Sequence, residues 1–248
     1  MTKSPLRYPG GKSKALKYIT QYFPDMSRVK EYREPFLGGG SVALHIAKNY
    51  PDIDVWVNDL YEPLYNFWCV LRDHPDYLVN SLLDLRDVFS DIPSAKGLYF
   101  EARDLIHNMS VDPKDRAVLF FCVNKLSFSG LTEASGFSNK ALNHNFTFQN
   151  IGRLKEYSKL IQNWKITNLP YEDLFCDDRS VFLYLDPPYD IKSDNLYGSK
   201  GRLHKLFDHN WFVANTDVYA CLQLISYNTD MESCSQYIGW GEIGRAHV

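Results

Sequence analysis

Four consecutive residues in the second half of the chain combine a carboxylate, a rigid turn and an aromatic ring: Asp186, Pro187, Pro188 and Tyr189. They directly follow the apolar run 181–185, which predicts a buried central strand, and open α/β sheets bind ligands where strands end. The amino group of a base is a poor nucleophile because its lone pair is conjugated with the ring. Asp186 and the carbonyl of Pro187 could each accept one of its N–H groups, while Tyr189 offers a stacking face for an extruded base. The tetrapeptide therefore predicts methyl transfer to an exocyclic amine.

A second constellation lies upstream, where the sequence EPFLGGGS spans Glu34 to Ser41 and Asp59 follows. Glycines at a strand-to-helix turn let the backbone approach a ligand, and an acidic residue about 20 positions later can accept hydrogen bonds from both ribose hydroxyls. Nicotinamide, flavin and adenosylmethionine proteins share this pattern, and a purely structural glycine turn also produces it. On its own it leaves the cofactor open.

The sequence between these motifs predicts the sheet that would position them. Alternating or continuous apolar residues predict strands at 31–35, 53–57, 164–168, 181–185 and 222–227, and amphipathic spacing predicts helices at 14–23, 41–50 and 150–162. The order strand, glycine turn, helix, strand, acidic residue is typical of the first half of a Rossmann-like sheet. Residues 60–125 look helical with breaks near Pro75, Pro93 and Pro113, and 126–150 look like loops or a hairpin on a helical bundle.

Composition narrows the class of protein without naming a partner. Hydrophobic residues make up 45% of the 248 and charged residues 23%, which is typical of a globular protein. The net charge of −3 gives no overall basic field, so a nucleic-acid partner would need a local basic face. Five scattered cysteines without a CxxC pair argue against structural zinc, and there is no apolar run of the ~20 residues that a membrane span needs. Together with the lack of a secretory leader, this predicts a cytoplasmic protein without a metal.

These segments resemble the Dam-type family of DNA adenine-N6 methyltransferases (D12 class, alpha group), in which the glycine motif precedes the target-recognition domain and DPPY follows it. Two further segments support the resemblance. RYPGGK at Arg7–Lys12 resembles the family's N-terminal cofactor motif, and RAVLFFCVNKLSFSGL at Arg116–Leu131 resembles its helix and loop that present recognition residues to DNA. The resemblance covers Pro5 to about Trp240.

The resemblance implies an α/β, Rossmann-like S-adenosylmethionine-dependent methyltransferase that flips adenine out of double-stranded DNA, acts as a monomer and is encoded by a bacterium or phage. It implies a catalytic domain in two parts, residues 1–59 and 150–241, with an inserted, mainly helical target-recognition domain at 60–149. The residues expected to bind the cofactor are Tyr8, Gly10, Gly11, Lys12, Pro35, Phe36, Gly38, Gly40, Ser41, Asp59 and Asp186. Those expected to contact DNA are Arg116, Asn124, Lys125 and Ser129, with Lys192, Lys200 and Arg202 in the loop after the catalytic motif. Ordinary solvated charges would give the same basic residues.

The C-terminal region departs from the family pattern. Family members continue beyond the strand at 222–227, whereas EIGRAHV at Glu242–Val248 resembles the translation of a sequencing adapter. We expect a gene truncated here, with residues 242–248 as a non-native tail and an unpaired sheet edge. Three alternatives remain open: the same chemistry on cytosine N4 or on adenine in RNA, an inactive DNA-binding remnant, and a nicotinamide oxidoreductase that would leave DPPY unexplained.

Overall fold

A five-stranded, wholly parallel sheet organises the protein. The computed structural model describes residues 3–8, 10–188 and 207–226. The strands are β1 (Glu31–Glu34), β2 (Asp54–Asn58), β3 (Lys165–Thr167), β4 (Val181–Leu185) and β5 (Leu222–Ile225). Their order across the sheet is β3-β2-β1-β4-β5. All five predicted strands are confirmed to within two residues at each end, and the strand order agrees with the Rossmann-like expectation.

Strand β4 is central because both of its faces are covered. All five of its residues are buried. Phe182 and Tyr184 pack in one hydrophobic cluster, whereas Val181, Leu183 and Leu185 pack in a second. Successive side chains of a strand point to opposite faces, so the two clusters lie on opposite sides of the sheet. A continuous apolar run is therefore what this position requires.

Ten helices surround the sheet. They are α1 (Leu16–Ile19), α2 (Ser41–Asn49), α3 (Glu62–Asp73), α4 (Pro75–Val88), α5 (Ile92–Leu105), α6 (Pro113–Leu126), α7 (Ala141–His144), α8 (Phe148–Gly152), α9 (Leu154–Leu160) and α10 (His209–Thr216), counted over the described residues. The prolines that were expected to break the helical region each lie in the first turn of α4, α5 or α6, where a missing N–H costs nothing. The helix predicted at 14–23 is shorter, because α1 gives way to a 3₁₀ turn at Thr20–Tyr22. The helix predicted at 150–162 is replaced by α8 and α9, which meet at Arg153.

Helix α6 lies in the middle of the helical region. Ten of its fourteen residues are buried, and it contacts α3, α4 and α5. The apolar side chains of α3 to α6 belong to the same hydrophobic cluster as residues of β1, β2 and β4. After α6 the chain makes two 3₁₀ turns, at Phe128–Gly130 and Thr132–Ala134, and one antiparallel bridge joins Ser127 to Phe137. The division of this region into a separate recognition domain at 60–149 remains a prediction.

Several predicted features fall outside the described residues: Tyr189, Lys192, Lys200, Arg202 and the tail at 242–248. Across the described ranges, no helix is long and apolar enough to cross a membrane. The same ranges contain no group of three or more His, Cys, Asp or Glu side chains placed to hold a metal ion.

Candidate active site

The glycine loop between β1 and α2 forms one wall of the site. Gly38 and Gly40 have positive φ angles of 49° and 66°, which glycine adopts without strain. A Cβ atom at Gly40 would lie 2.9 Å from Cζ2 of Trp68, and one at Gly38 would lie 2.9 Å from Cε1 of Tyr8. Trp68 also donates from Nε1 to the Gly38 carbonyl at 3.2 Å. The loop therefore needs glycine for its backbone conformation and for the rings packed behind it.

Asp59 lies directly after β2 and is bonded to the glycine loop. Its Oδ2 accepts from the Gly38 N–H at 2.8 Å, and its Oδ1 accepts from the Tyr61 N–H at 2.9 Å. Burial raises the pKa of Asp59 to about 6, although these two N–H groups oppose the rise. The side chain is therefore an ionised acceptor at neutral pH, fixed at the edge of the sheet.

Asn58 is a site residue that the sequence analysis missed. Its buried amide donates to the carbonyls of Pro35 and Leu169, at 3.1 and 3.0 Å. Its Oδ1 accepts from the Leu169 N–H and from Thr167 Oγ1, both at 2.8 Å. One side chain thus ties the segments that follow β1, β2 and β3. Its polar side chain at the end of an apolar strand is the sequence feature that could have identified it as a site residue.

Asp186 follows β4 and meets the N-terminal motif. Its Oδ2 lies 2.6 Å from Nζ of Lys12, and the two side chains are 19% and 13% exposed. Lys12 also donates from Nζ to the Gly10 carbonyl at 2.8 Å. The N-terminal motif is therefore held beside the carboxyl ends of β1 and β4. This is the point where the strand order reverses and where α/β sheets bind their ligands.

Glu34, the last residue of β1, is a second carboxyl group that the sequence analysis did not single out. It is 3% exposed and accepts a hydrogen bond from the Tyr32 hydroxyl at 2.7 Å. Burial raises the pKa of Glu34 to about 8, with a further rise from the nearby charge of Asp186. Glu34 is therefore largely protonated at neutral pH. Its position at the end of a predicted strand, as the first residue of the EPF motif, is the sequence feature that could have identified it as a site residue.

These groups line one cavity that opens to solvent. All eleven residues expected to bind the cofactor line it, as does Pro188, whereas Pro187 is buried and is not among the lining residues. Lining residues that were not expected are Glu34, Leu37, Gly39, Val42, Asn58, Leu60, Leu169, Tyr171 and Phe207. Three aromatic rings meet at one side: the ring centroids of Phe36 and Tyr171 lie 5.3 Å apart, and those of Tyr171 and Phe207 lie 5.7 Å apart. The cavity thus has a polar side, at Asp59 and Asp186, and an aromatic side, at Phe36, Tyr171 and Phe207.

The four described residues expected to contact DNA have different surroundings. Arg116 is buried, and its Nη1 lies 2.8 Å from both carboxylate oxygens of Glu62. Asn124 is buried and bonds to the backbone of Arg7. Lys125 is buried, and desolvation lowers its pKa to about 7, helped by the charge of Arg7. Only Ser129, of these four, is exposed, at a φ of 54°. Their contact with DNA remains a prediction.

Comparison with known proteins agrees with the arrangement of these motifs. Residues 8–229 match the family described as D12 class N6 adenine-specific DNA methyltransferase. The chain belongs to this family. The resemblance read from the motifs is thereby confirmed, and membership of the D12 class favours methyl transfer over the nicotinamide alternative.

Individual relatives of this D12-class chain carry consistent names. It is 31% identical over 203 residues to the Type II methyltransferase M.MjaIII of Methanocaldococcus jannaschii, covering 74% of this chain and 68% of the relative. It is 25% identical over 235 residues to the Type II methyltransferase M.CviBI of Paramecium bursaria Chlorella virus NC1A, covering 90% and 82%. It is 27% identical over 190 residues to the DNA adenine methylase of Escherichia coli (strain K12), covering 74% and 64%.

Proposed function

We propose that this chain transfers a methyl group from S-adenosylmethionine to the N6 amino group of adenine in double-stranded DNA, after the adenine has been flipped out of the duplex. The observation that carries the proposal is the convergence of the glycine loop, Asp59, Lys12 and Asp186 on one cavity at the carboxyl edge of the sheet. These groups come from widely separated parts of the chain. Their meeting beside the β1–β4 pair supports a site for a cofactor and a reacting base.

The lining of the cavity fits S-adenosylmethionine on two counts. The space in front of Gly38 and Gly40 admits close approach to the backbone, and the ionised Asp59 can accept both hydroxyls of a ribose. Phe36, Tyr171 and Phe207 offer flat apolar faces to an adenine ring. The cofactor would supply an electrophilic methyl group, so the protein's task is to hold and orient the amine.

Asp186 would bind that amine. Its carboxylate stands at the edge of the cavity, and the ammonium group of Lys12 compensates its charge at 2.6 Å. A carboxylate that accepts an N–H of the adenine amino group, together with the carbonyl of Pro187, would favour the tetrahedral nitrogen whose lone pair can attack. Pro188 lines the same cavity. Tyr189 lies outside the described residues, and we propose that it stacks on the flipped base.

DNA would approach the open side of the cavity. Among the described residues expected to contact it, exposed Ser129 is the strongest proposal, at the turn that follows α6. Lys192, Lys200 and Arg202 would meet phosphates through their positive charge. We assign target recognition to residues 60–149, inserted between the catalytic parts at 1–59 and 150–241. A DNA substrate in a bacterial or phage-infected cell implies action in the cytoplasm, and we propose that the protein acts as a monomer.

The test is transfer of labelled methyl groups from S-adenosylmethionine to unmethylated genomic DNA, followed by digestion to nucleosides. We expect the label in N6-methyladenine, and a loss of at least about 10²-fold in rate for Asp186→Asn, because the charged acceptor is removed. Asp178→Asn is the matched control, since Asp178 is an exposed carboxylate that lies three residues before the start of β4, whereas Asp186 follows the end of that strand. Label in N4-methylcytosine, label in RNA alone, or an Asp186→Asn variant as active as the control would refute the proposal.

A further inference from the structure

One side chain bonds both backbone polar groups of Arg7. Oδ1 of Asn124 accepts from the Arg7 N–H at 3.0 Å, and Nδ2 of Asn124 donates to the Arg7 carbonyl at 2.6 Å. Asn124 lies in the last turn of α6 and is 0% exposed. A side-chain amide can imitate a backbone pairing in this way because it carries both a donor and an acceptor. The N-terminal segment is thus paired to α6 by one residue.

Further contacts hold the same segment from other sides. Nη1 of Arg7 donates to the Ser127 carbonyl at 2.9 Å. Gly130, with a φ of 75°, approaches so closely that a Cβ atom there would lie 2.8 Å from the Arg7 carbonyl oxygen. The hydroxyl of Tyr157 donates to the Lys3 carbonyl at 2.6 Å. The end of α6 and the turn after it therefore hold Arg7, and Tyr157 of α9 holds Lys3; together these contacts form a clamp on residues 3–8.

The clamp leads directly to the cavity wall. The Arg7 carbonyl belongs to the peptide group that it shares with Tyr8, and the Tyr8 ring packs against Gly38. The Gly11 N–H then donates to the Tyr8 carbonyl at 3.0 Å, which fixes the turn that carries Lys12 to Asp186. Tyr8, Gly11 and Lys12 all line the cavity. A shift of Arg7 would therefore move the wall on which the cofactor is proposed to lie.

We propose that Asn124 is a positioning residue for the cofactor site, which acts by holding the Arg7–Tyr8 peptide rather than by contacting DNA. This inference rests on the proposed use of S-adenosylmethionine in the cavity. It also couples two parts of the site, because the helix that holds Tyr8 in place ends at the turn that presents Ser129. Binding of the cofactor beside Tyr8 and the position of the turn that carries Ser129 then both depend on the hydrogen bonds between Asn124 and Arg7.

The test measures the dissociation constant of S-adenosylmethionine by calorimetry, without DNA, for the full chain and its variants. Asn124→Leu leaves both Arg7 groups without their partner, and we expect affinity to fall about tenfold. Asn66→Leu is the matched control, because Asn66 is also buried and donates to the Pro113 carbonyl at 2.7 Å, but it lies away from the cavity. The control should lower thermal stability and leave the dissociation constant within about twofold of the parent.

A second pair of variants perturbs the clamp at Gly130 instead of at Asn124. Gly130→Ala would push on the Arg7 backbone, whereas Gly136→Ala, in the same connecting segment, would meet no atom within 4 Å. We expect weaker cofactor binding in the first and parent-like binding in the second. Asn124→Asp keeps the acceptor for the Arg7 N–H, but it loses the donor and places a carboxylate oxygen against the Arg7 carbonyl, so we expect weaker cofactor binding here too. It replaces Asn124→Leu if that variant fails to fold.

The outcomes separate this inference from the proposed function. Parent-like cofactor affinity in Asn124→Leu or Asn124→Asp, with a loss of DNA affinity instead, would show that Asn124 contacts DNA and would overturn the inference alone. An equal loss of cofactor affinity in Asn66→Leu would show that the effect of Asn124 reflects general destabilisation of the fold, and this result would also overturn the inference. Failure of the parent chain to bind S-adenosylmethionine would overturn both this inference and the proposed cofactor.

Discussion

Replacing Glu34 by glutamine should make the protein more stable above neutral pH. The carboxyl group is 3% exposed, and its pKa rises from 4.5 to about 8. Because the folded state binds this proton more tightly than the unfolded state does, folding stability falls as pH rises through that window. The rise spans about 3.5 pH units, and each unit corresponds to about 1.36 kcal/mol, so the loss approaches roughly 5 kcal/mol above pH 8. Glutamine stays neutral and can still accept the Tyr32 hydroxyl.

The assay is urea unfolding of both proteins between pH 5 and 9. Near pH 5 the two free energies of unfolding should be similar, and by pH 9 the Glu34→Gln variant should be more stable by several kcal/mol. Glu31→Gln, in the same strand, is the control: Glu31 pairs with Arg33 at a partly exposed position, so its loss should cost less than about 1 kcal/mol. A difference between parent and Glu34→Gln that does not change with pH would refute the reasoning.

Two further changes test the site's backbone and its pH dependence. Gly40→Ala should destabilise the fold by about 2–5 kcal/mol in urea unfolding, because the backbone is left-handed there and the new Cβ would clash with Trp68. The control Gly97→Ala lies in α5 with open space around it and should stabilise the fold by roughly 0.5–1 kcal/mol. Equal effects of the two variants would contradict the steric argument. Cofactor affinity measured by calorimetry should fall as pH drops below about 6, where Asp59 takes up a proton. Asp59→Asn should bind roughly 10–100-fold more weakly at pH 8 and show a much smaller pH dependence; an unchanged pH profile would assign the titration to another group.

The strands and the order of the motifs could be predicted from the sequence because their signals are local. The apolar run at 181–185 and the alternation at 53–57 each report burial of the residues that carry them. The glycine loop and the residues after β2 and β4 then meet because the strands are parallel and end at one edge. Helix α1 was predicted too long: its N-cap, Ala15, provides no side-chain hydrogen bond, so little beyond packing holds its turns.

Other parts of the site could not be predicted because they depend on tertiary contacts. Tyr171 and Phe207 complete the aromatic side of the cavity, yet neither stands in a recognisable motif. On helix α6 the sequence left open whether the polar residues are solvated or face DNA. In the structure ten of the fourteen residues of this helix are buried and Arg116 pairs with Glu62 of α3, while its contact with DNA remains a prediction. The sequence pattern around a helix reports polarity, whereas the partner that satisfies each polar group comes from elsewhere in the chain.

The pair formed by Lys12 and Asp186 shows why the site depends on the whole fold. Lys12 belongs to the N-terminal motif and Asp186 to the segment after β4, so their contact at 2.6 Å joins residues that lie far apart in the sequence and meet in the folded chain. The N-terminal motif has no strand of its own to hold it, and its position is set by α6 through Asn124 and by the glycine loop through Gly38. A perturbation of α6 should therefore reach the charge balance at Asp186 without touching any residue that lines the cavity. For this reason cofactor affinity, measured in variants matched for stability, is the readout that distinguishes positioning from packing.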